Sequence, residues 1–549
     1  MSQITVENRF STVIFFASLR RSLQRPETSY FRGRKLSGYH FRNRLKIYIF
    51  ARYIRLMLEK LAKQTAIYGI STIVVRFLSY LLTPYYTRIF EKGVYGIVTD
   101  VYALIPLALT LLTMGMESSY FRFSAKAEEA GGDVKAAKRK LFATTWGVTC
   151  LAAAIFFGVV LLGRDVLSEW MGEAYARHPE YVVWVGGIVL LDVAACIPFS
   201  RLREQGRAMT FVGFKALNVV LNVGLAILFG LVGLYSTTFG VGWVFVANLI
   251  ASCVTFGLIL LTTDRTLPWI DGALLKRIFV YSLPLLIGGL AGTANEFLDR
   301  QLIKYWGPDD FHQLDQMAQL GVYGAITKIA VVMMLFYQMY RLAAEPFFLS
   351  NFKKQDFVAM NAAALKYYVM ASMVIFLGIS LFRDVFALIV GSGFREGIDI
   401  LPVILGANVL TGVWLNLSFW YKREERTSFA MVVTGVGLVA MLAFGSWAIP
   451  TLGYYGAAWS RLASETAMVA VSWWLNRKFF PTPYEWRRMG EYTIVAFAVF
   501  YLSEQMVAYV DQTYWAYAFH IMIFAGYLTY LVRREKIDVK AMVRAALKR

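Results

Sequence analysis

The sequence comprises 549 residues, of which 58% are hydrophobic and 17% are charged, and its formal net charge at pH 7 is +20. Water-soluble domains carry about 25% charged residues, and a soluble fold could not bury this much apolar surface, so the composition indicates a multi-span membrane protein. The basic residues fall in short clusters between apolar runs, as the rule for membrane orientation requires, and this distribution argues against nucleic acid as a partner.

Residues 1–60 form a basic N-terminal segment that does not share the apolar pattern of the rest of the chain. Its apolar piece, VIFFAS, is far too short to cross a bilayer, and it lacks the longer apolar core and convincing cleavage site of a signal peptide. Met57 begins MLEKLAKQTAIYG, a natural start for the first span. We therefore predict that residues 1–60 are disordered or arise from an upstream mis-start.

About fourteen apolar windows follow, each near the 20 residues that a helix needs to cross the roughly 30 Å hydrocarbon layer. They predict an all-α, polytopic membrane protein with about 14 transmembrane helices. The predicted spans lie near residues 65–88, 95–117, 141–163, 181–200, 209–231, 239–262, 278–298, 320–342, 364–386, 398–420, 428–449, 455–475, 493–510 and 514–532.

The connections between these spans alternate in charge. Every second connection is rich in Lys and Arg, as in the stretch 135–140 before span three and the stretch 533–536 after the last span. The intervening connections are poor in basic residues or balanced by acids. Because basic loops remain on the inner side of a membrane, this alternation places both termini in the cytoplasm.

An eight-residue motif occurs twice, as GVYGIVTD at 93–100 and as GVYGAITK at 321–328, and each copy begins an even-numbered span. A weaker pair, GLYS at 233–236 and GYYG at 453–456, has nearly the same separation. Chance recurrence of glycine–aromatic turns is the alternative, but two motifs at one six-span offset favour an internal duplication. Parallel repeats of this kind place a substrate site between the two halves.

The duplication predicts two six-helix lobes with two additional C-terminal helices. The predicted divisions are 61–265 for the N-lobe with spans one to six, 266–476 for the C-lobe with spans seven to twelve, and 477–549 for the last two spans and a basic cytoplasmic tail.

Two longer stretches, LAKQTAIYGISTIVVRFLSYLLTPYYTRIF at 61–90 and GLAGTANEFLDRQLIKYW at 289–306, together with the GVYG copies, carry a family resemblance. Over about residues 60–535 the chain resembles the Wzx-like polysaccharide-flippase branch of the multidrug/oligosaccharidyl-lipid/polysaccharide (MOP) exporter superfamily. The resemblance implies a carrier that moves undecaprenyl-pyrophosphate-linked sugars from the inner to the outer leaflet of the bacterial plasma membrane, for polysaccharide or lipopolysaccharide synthesis. Membrane lipids and a glycan polymerase or assembly machinery are the partners it suggests.

Charged side chains deep in predicted spans require a reason, since each costs about 2.5–3.5 kcal/mol at mid-bilayer. Arg76, Lys215 and Lys328 are such residues, and Asn218 and Asn222 share one helix face with Lys215. We predict that these five residues line a cationic cavity that binds a pyrophosphate through charge-assisted hydrogen bonds. The alternative is that Arg76 pairs with Asp192 inside one lobe and only fixes packing.

A second group of residues is predicted to form the gate or the contact between the lobes. Asp100 and Lys328 occupy equivalent positions in the two motif copies and could pair as an outer gate. The spacing of Glu296 and Arg300 predicts an i, i+4 ion pair on a solvated helix surface at the membrane edge. Other residues assigned to gating or lobe contact are Asp192, Gly288, Gly292, Asn295, Asp299 and Arg341.

Two other function classes remain open from the sequence. A cation-coupled multidrug exporter of the same superfamily would need buried acids, and deep basic residues outnumber deep acids here. A membrane glycosyltransferase or polymerase would need a large catalytic loop, whereas all connections look short, so no catalytic residues are assigned. The cysteines and histidines are scattered without ligand spacing, so neither a metal site nor a cofactor is expected.

Overall fold

The computed structural model of the protein describes residues 80–263, 266–352, 357–424, 426, 428–507 and 513–536. Within these ranges the secondary structure is helical, apart from a single β-bridge between Phe311 and Leu314. The predictions made for residues 1–60, for most of span one and for Arg76 lie outside the described residues.

The N-lobe, as described, comprises nine helices that pack mainly on one another. Long helices carry the apolar spans, and short ones turn the chain at the membrane surface. They are α1 (Leu82–Ile89), α2 (Lys92–Thr113), α3 (Met116–Ala130), α4 (Val134–Leu162), α5 (Arg164–Met171), α6 (Glu173–Ala176), α7 (Pro179–Glu204), α8 (Ala208–Leu231) and α9 (Gly242–Leu260).

The C-lobe follows with eight described α-helices and the 3₁₀ helix Ser392–Ile400, and a further pair of α-helices ends the described part of the chain. The C-lobe helices are α10 (Gly272–Trp306), α11 (Gln316–Ile329), α12 (Val331–Asn351), α13 (Phe357–Leu381), α14 (Arg383–Ala387), α15 (Leu401–Leu417), α16 (Phe419–Arg423) and α17 (Ser428–Phe479); the last pair is α18 (Trp486–Val507) and α19 (Thr513–Arg534).

Ten described helices are long and apolar enough to cross a membrane, or eleven if α11 and α12 form one bent span. These two helices meet at an angle of 50° beside Ala330. Helix α17 contains 52 residues and its backbone breaks at Gly453, with φ 53° and ψ −133°, so it covers two predicted spans. The predicted total of fourteen is not established by these helices.

Helix starts follow the local chemistry of the sequence. Asp271 precedes α10 and accepts a hydrogen bond from the Leu274 backbone N–H at 2.7 Å, which satisfies one of the free amides of the first turn. A hydrogen bond from Lys140 and this backbone contact hold the pKa of Asp271 below its usual value. Asp315 caps α11 in the same way.

The two copies of the repeated motif pack directly against each other, because α2 of the N-lobe crosses α11 of the C-lobe at their glycines. A Cβ atom added at Gly96 would lie 2.0 Å from the Met317 carbonyl oxygen, and one added at Gly321 would lie 2.0 Å from the Lys92 carbonyl oxygen. Only a residue without a side chain permits backbones to approach this closely. The motif is therefore repeated at a self-complementary contact between the lobes.

The same end of the molecule carries further contacts between the lobes. Lys92 forms an ion pair with Glu396 at 2.9 Å, and the Thr87 hydroxyl accepts a hydrogen bond from the Gly391 backbone N–H at 3.0 Å. The Arg88 guanidinium donates to the Leu388 carbonyl oxygen at 2.8 Å. The lobes thus close on the side where α2 and α11 begin, which the loop charges predict to be the outer face.

Candidate functional site

Two adjoining cavities lie between the lobes. The first cavity, of about 620 Å³, is lined by α1, α2, α8 and α9 on one side and by α10, α11, α12, α15 and α17 on the other. The second cavity, of about 1000 Å³, lies mainly against the C-lobe. The cavities share five lining residues, so they form one continuous chamber; the shared residues are Thr293, Glu296, Met334, Gln338 and Arg461.

Every charged residue that lines the first cavity, within the described ranges, belongs to the C-lobe. Arg300, Lys328 and Arg461 are the cations, and Glu296 is the single acid. The Lys328 ammonium lies 5.0 Å from the centre of the Tyr80 ring and makes no ion pair with a described acid. The buried Asp299 carboxylate behind this wall pairs with Arg300 and Arg461, so Lys328 supplies the positive charge that has no ion pair with a described acid and that suits an anionic ligand.

Arg461 is the central residue of this wall and is only 4% exposed. One of its Nη atoms lies 3.5 Å from an oxygen of Asp299, and the other donates to the Asn408 side chain at 3.1 Å. Its Nε has no hydrogen-bond partner in the described structure. Asp299 also accepts a hydrogen bond from the Tyr323 hydroxyl at 2.5 Å. Each member of the Arg461–Asp299 pair is therefore fixed by a further hydrogen bond, Arg461 by Asn408 and Asp299 by Tyr323.

The prediction of a solvated ion pair between Glu296 and Arg300 is wrong. Arg300 donates to the backbone carbonyl of Glu296 at 2.9 Å and pairs instead with the carboxylate of its neighbour, Asp299, at 3.3 Å. Asp299 and Asn295 are buried rather than placed at a wet membrane edge, because α10 packs this face against α17. Asn295 bonds the Thr434 carbonyl and the Ser464 hydroxyl of α17.

The N-lobe wall of the first cavity has a different chemistry. Asn218 and Asn222 line it from α8, as the helix spacing predicted, and Asn248 lines it from α9. Tyr95 and Tyr102 face the cavity from α2, where they lie two turns apart. The wall is therefore built of amides, phenols and threonine hydroxyls, without a charged group in its described part.

Lys215 and Asp192 do not line either cavity. The Lys215 ammonium lies 4.2 Å from the centre of the Phe199 ring, on an exposed part of α8. Asp192 accepts a hydrogen bond from Ser252 of α9 at 3.0 Å, which is a contact within the N-lobe. The structure thus separates Lys215 from Lys328, although both were predicted to line one cavity.

Asp100 joins the two lobes, but its partner is not Lys328. The carboxylate is fully buried and accepts hydrogen bonds from Gln301 and Lys304 of α10, each at 2.6 Å, and from the Tyr175 hydroxyl at 2.7 Å. Lys328 cannot meet it because the second motif copy directs that residue toward the cavity. We call this group of four residues, Asp100, Tyr175, Gln301 and Lys304, the interlobe latch.

The second cavity reaches the end of the bundle opposite the latch. Arg341 lines it and lies 3.5 Å from Glu345, which Lys422 also contacts at 3.0 Å. Gly292 lines this cavity with open space around it, whereas a Cβ at Gly288 would lie 3.2 Å from the Met431 side chain. Helix α10 is continuous through both glycines, so a hinge there remains a prediction.

Several functional candidates escaped the sequence analysis. Arg461 and Glu465 lie one helical turn apart within an apolar run, so the cost of a charge at mid-bilayer would have identified both. Lys304 and Gln301 near the end of α10 gave no comparable signal, because their role depends on Asp100 some 200 positions earlier in the chain.

Comparison with known proteins gives a family match in sequence. The sequence model of the family described as "polysaccharide biosynthesis protein" matches residues 61–352, which is more than half of the chain. A search among curated proteins finds no significant match.

Solved structures share the fold. The lipid II flippase MurJ in an inward closed conformation aligns with a TM-score of 0.67 at 12% identity, covering 86% of this chain and 99% of its own. An inward-facing multidrug resistance MATE transporter of the MOP superfamily aligns at 0.60 with 16% identity, covering 76% and 97%. A MOP transporter from Pyrococcus furiosus, described by the reverse polarity of its binding pocket, aligns at 0.52 with 16% identity, covering 76% and 95%. The predicted all-α fold of the MOP type is confirmed.

Proposed function

The chain belongs to the polysaccharide biosynthesis protein family, a group of multi-pass membrane transporters with the MOP fold, and from this premise we propose that it is a lipid-linked oligosaccharide flippase. Its proposed cargo is undecaprenyl-pyrophosphate-linked oligosaccharide, and its proposed location is the bacterial plasma membrane with both termini in the cytoplasm.

The observation that carries this proposal is the cationic C-lobe wall of the first cavity. Arg300, Lys328 and Arg461 face a chamber between the lobes, together with one acid, Glu296. A pyrophosphate concentrates negative charge and acceptor oxygens in a small volume, and guanidinium and ammonium groups satisfy both. We propose that Lys328 and Arg300 hold the pyrophosphate, with Arg461 as the buried positive centre behind them.

Alternating access would follow from the contacts at the two ends of the chamber. The lobes meet at the glycine crossing of α2 and α11 and at the interlobe latch, whereas the second cavity extends toward Arg203 and Glu345 at the opposite, basic end. The headgroup would enter from that end, and rupture of the latch would open the outer side. Proposed outward movement of negative charge gains about 2.3 kcal/mol per charge per 100 mV of an inside-negative potential.

The second candidate is a cation-coupled multidrug exporter. The observation in its favour is that Glu296 and Glu465 both line the second cavity, where they could attract a cationic compound. The second cavity as a whole does not favour a cation, because its three lining acids, which include Glu345, are matched by three lining cations, Arg203, Arg341 and Arg461. We therefore rank this function below the flippase.

The test is depletion of the protein in its native bacterium, followed by leaflet-resolved measurement of lipid-linked glycan. The flippase proposal predicts accumulation of the glycan lipid in the inner leaflet and normal susceptibility to cationic drugs. Unchanged glycan distribution with a marked rise in drug susceptibility would instead support the exporter. Complementation by the Lys328→Gln variant, at equal membrane abundance, links the result to the cationic wall.

A further inference from the structure

The two walls of the first cavity differ in charge: in the described part of the chain, the C-lobe wall is charged and the N-lobe wall is not. The four charged lining residues, Glu296, Arg300, Lys328 and Arg461, come from the C-lobe. The described N-lobe wall is uncharged: it offers hydroxyl, phenol and amide groups to a ligand, beside apolar side chains such as Leu82, Val98 and Val219. A ligand that touches both walls therefore meets a positive surface on one side and an uncharged hydrogen-bonding surface on the other.

The N-lobe wall has two features suited to sugar rings. Tyr95 and Tyr102 lie two helical turns apart on one face of α2 with Thr99 between them, and all three residues line the cavity. Asn218 and Asn222 lie one turn apart on α8 across from them. Amides and hydroxyls match the donor and acceptor pattern of sugar hydroxyls.

One of these amides lacks a hydrogen-bond partner. The Oδ1 atom of Asn222 is buried and accepts no hydrogen bond in the described structure, although it belongs to a residue that lines the cavity. An unsatisfied buried acceptor is unfavourable, and a rotation of the Asn222 amide that brought Oδ1 to a ligand hydroxyl in the cavity would remove the cost. The neighbouring Asn248 amide lies 3.4 Å from the Tyr102 hydroxyl, a long contact that a ligand could replace.

We propose that the described N-lobe wall is a glycan subsite for uncharged sugars, centred on Asn222, Tyr102 and Asn248, while the C-lobe wall takes the pyrophosphate. This inference rests on the proposed function. An acidic sugar placed on this wall would lose hydration without gaining a cationic partner among the described residues, because the cations that line the cavity in the described part of the chain belong to the opposite lobe. The site would thus select neutral over acidic proximal sugars.

The experiment measures binding to the purified full-length protein in lipid nanodiscs. Three probes are used: undecaprenyl pyrophosphate without sugar, the same lipid bearing an uncharged disaccharide, and the same lipid bearing a disaccharide of uronic acids. Asn222→Leu and Tyr102→Phe alter the N-lobe wall, and Lys328→Gln alters the C-lobe wall. Size-exclusion profile and thermal unfolding confirm that each variant is folded.

The expected pattern distinguishes the two walls, because only the N-lobe variants should act selectively on the sugar-bearing lipid. Asn222→Leu and Tyr102→Phe each weaken binding of the neutral glycan lipid by about three- to tenfold and leave the sugar-free lipid unchanged. Lys328→Gln weakens both lipids by the same factor, about tenfold or more. Wild-type protein binds the uronic-acid probe more weakly than the neutral probe.

Three results would overturn the inference. If the wild type binds the glycan lipids but the N-lobe variants weaken the sugar-free and sugar-bearing lipids equally, or if uronic acids bind as well as neutral sugars, the glycan subsite is refuted while the proposed flippase function stands. If the wild type binds none of the three lipids, the flippase function itself fails, and the subsite fails with it.

Discussion

Lys328 faces the first cavity without an ion-pair partner among the described acids, so its charge is available to a ligand. We expect Lys328→Gln to reduce flipping of a pyrophosphate-linked glycan lipid in proteoliposomes by about tenfold or more, because a charge-assisted contact is lost. Lys215→Gln is the matched control, since Lys215 lies outside both cavities, and it should retain flipping within about twofold. Equal loss in the two variants at equal protein incorporation would contradict a specific role of the cavity lysine.

Arg461 lines the cavity and also stabilises the fold through its contact with Asp299. Arg461→Gln removes one of the two guanidinium partners of the buried Asp299 carboxylate and leaves Arg300, at 3.3 Å, as its ion-pair partner, so the loss should be smaller than the roughly 3–5 kcal/mol of a buried pair broken outright. We expect a clear fall in the thermal midpoint of the detergent-solubilised protein, partly restored by the additional change Asp299→Asn. Exposed Arg207→Gln should leave the midpoint almost unchanged. Absence of any rescue by Asp299→Asn would mean that the pair does not carry the stability.

At the scale of single residues, the sequence identified cavity-lining residues correctly where polar side chains share one face of a helix. Asn218 and Asn222 line the first cavity because their spacing of four places both on one side of α8. It failed for Lys215, which belongs to the same predicted stripe but extends over Phe199 instead. Helical periodicity predicts the side of a helix from which a side chain projects only to within part of a turn. A long flexible side chain can also bend away from that side.

At the scale of helices, the clearest signal in the sequence was the repeated GVYG motif, which lies where α2 crosses α11. Gly96→Ala would place a methyl group 2.0 Å from the Met317 carbonyl oxygen, so the helices would have to separate. We expect this variant to lose flipping and to expose cysteines introduced along the crossing to a water-soluble thiol reagent.

Gly93→Ala provides the matched control within the same motif, because nothing lies within 4 Å of a Cβ at that position. It should retain flipping and the low labelling of the parent protein. Labelling that is equal in the Gly93 and Gly96 variants would show that the crossing does not depend on the missing side chain.

Element boundaries were predictable where apolar runs ended in polar turns, and less so where a helix bends inside a run. The sequence predicted one span over 320–342, whereas α11 and α12 meet at Ala330 with a 50° bend. The bend is supported from another helix: Asn408 donates to the Ala330 carbonyl at 3.4 Å and accepts from Arg461. Such support depends on contacts between distant segments, which periodicity does not contain.

At the scale of the whole molecule, the lobes are closed at the end where α2 and α11 begin, which the loop charges predict to be the outer side, and Lys92 of the N-lobe is paired there to Glu396 of the C-lobe. We expect a short bifunctional thiol reagent to link Lys92→Cys with Glu396→Cys and to stop flipping, since the lobes could no longer separate there. Each single cysteine variant, treated with the same reagent, should remain active and also controls for the native cysteines. Full activity of a completely linked protein would exclude opening at this contact.

The all-α membrane fold was predictable from composition and from the lengths of the apolar runs, because a bilayer requires such helices. The interlobe latch was not predictable from the sequence. Asp100 and Lys328 are equivalent in the two motif copies, yet they are not partners, and the sequence offered no means to choose Lys304 instead. A repeat predicts which segments correspond, whereas the contacts across their interface must be read from the packed structure.

The last two helices are fixed to the C-lobe by a compact ionic joint at one end. Lys366 of α13 lies 3.1 Å from both Glu485 and Glu535, and Arg488 reaches Glu535 at 3.2 Å. Because the joint ties α18 and α19 to the C-lobe, which also bears the described cavity cations, we expect these two helices to move with that lobe as one body during transport. A fluorescent label attached near the end of α19 would therefore report the movement of the C-lobe.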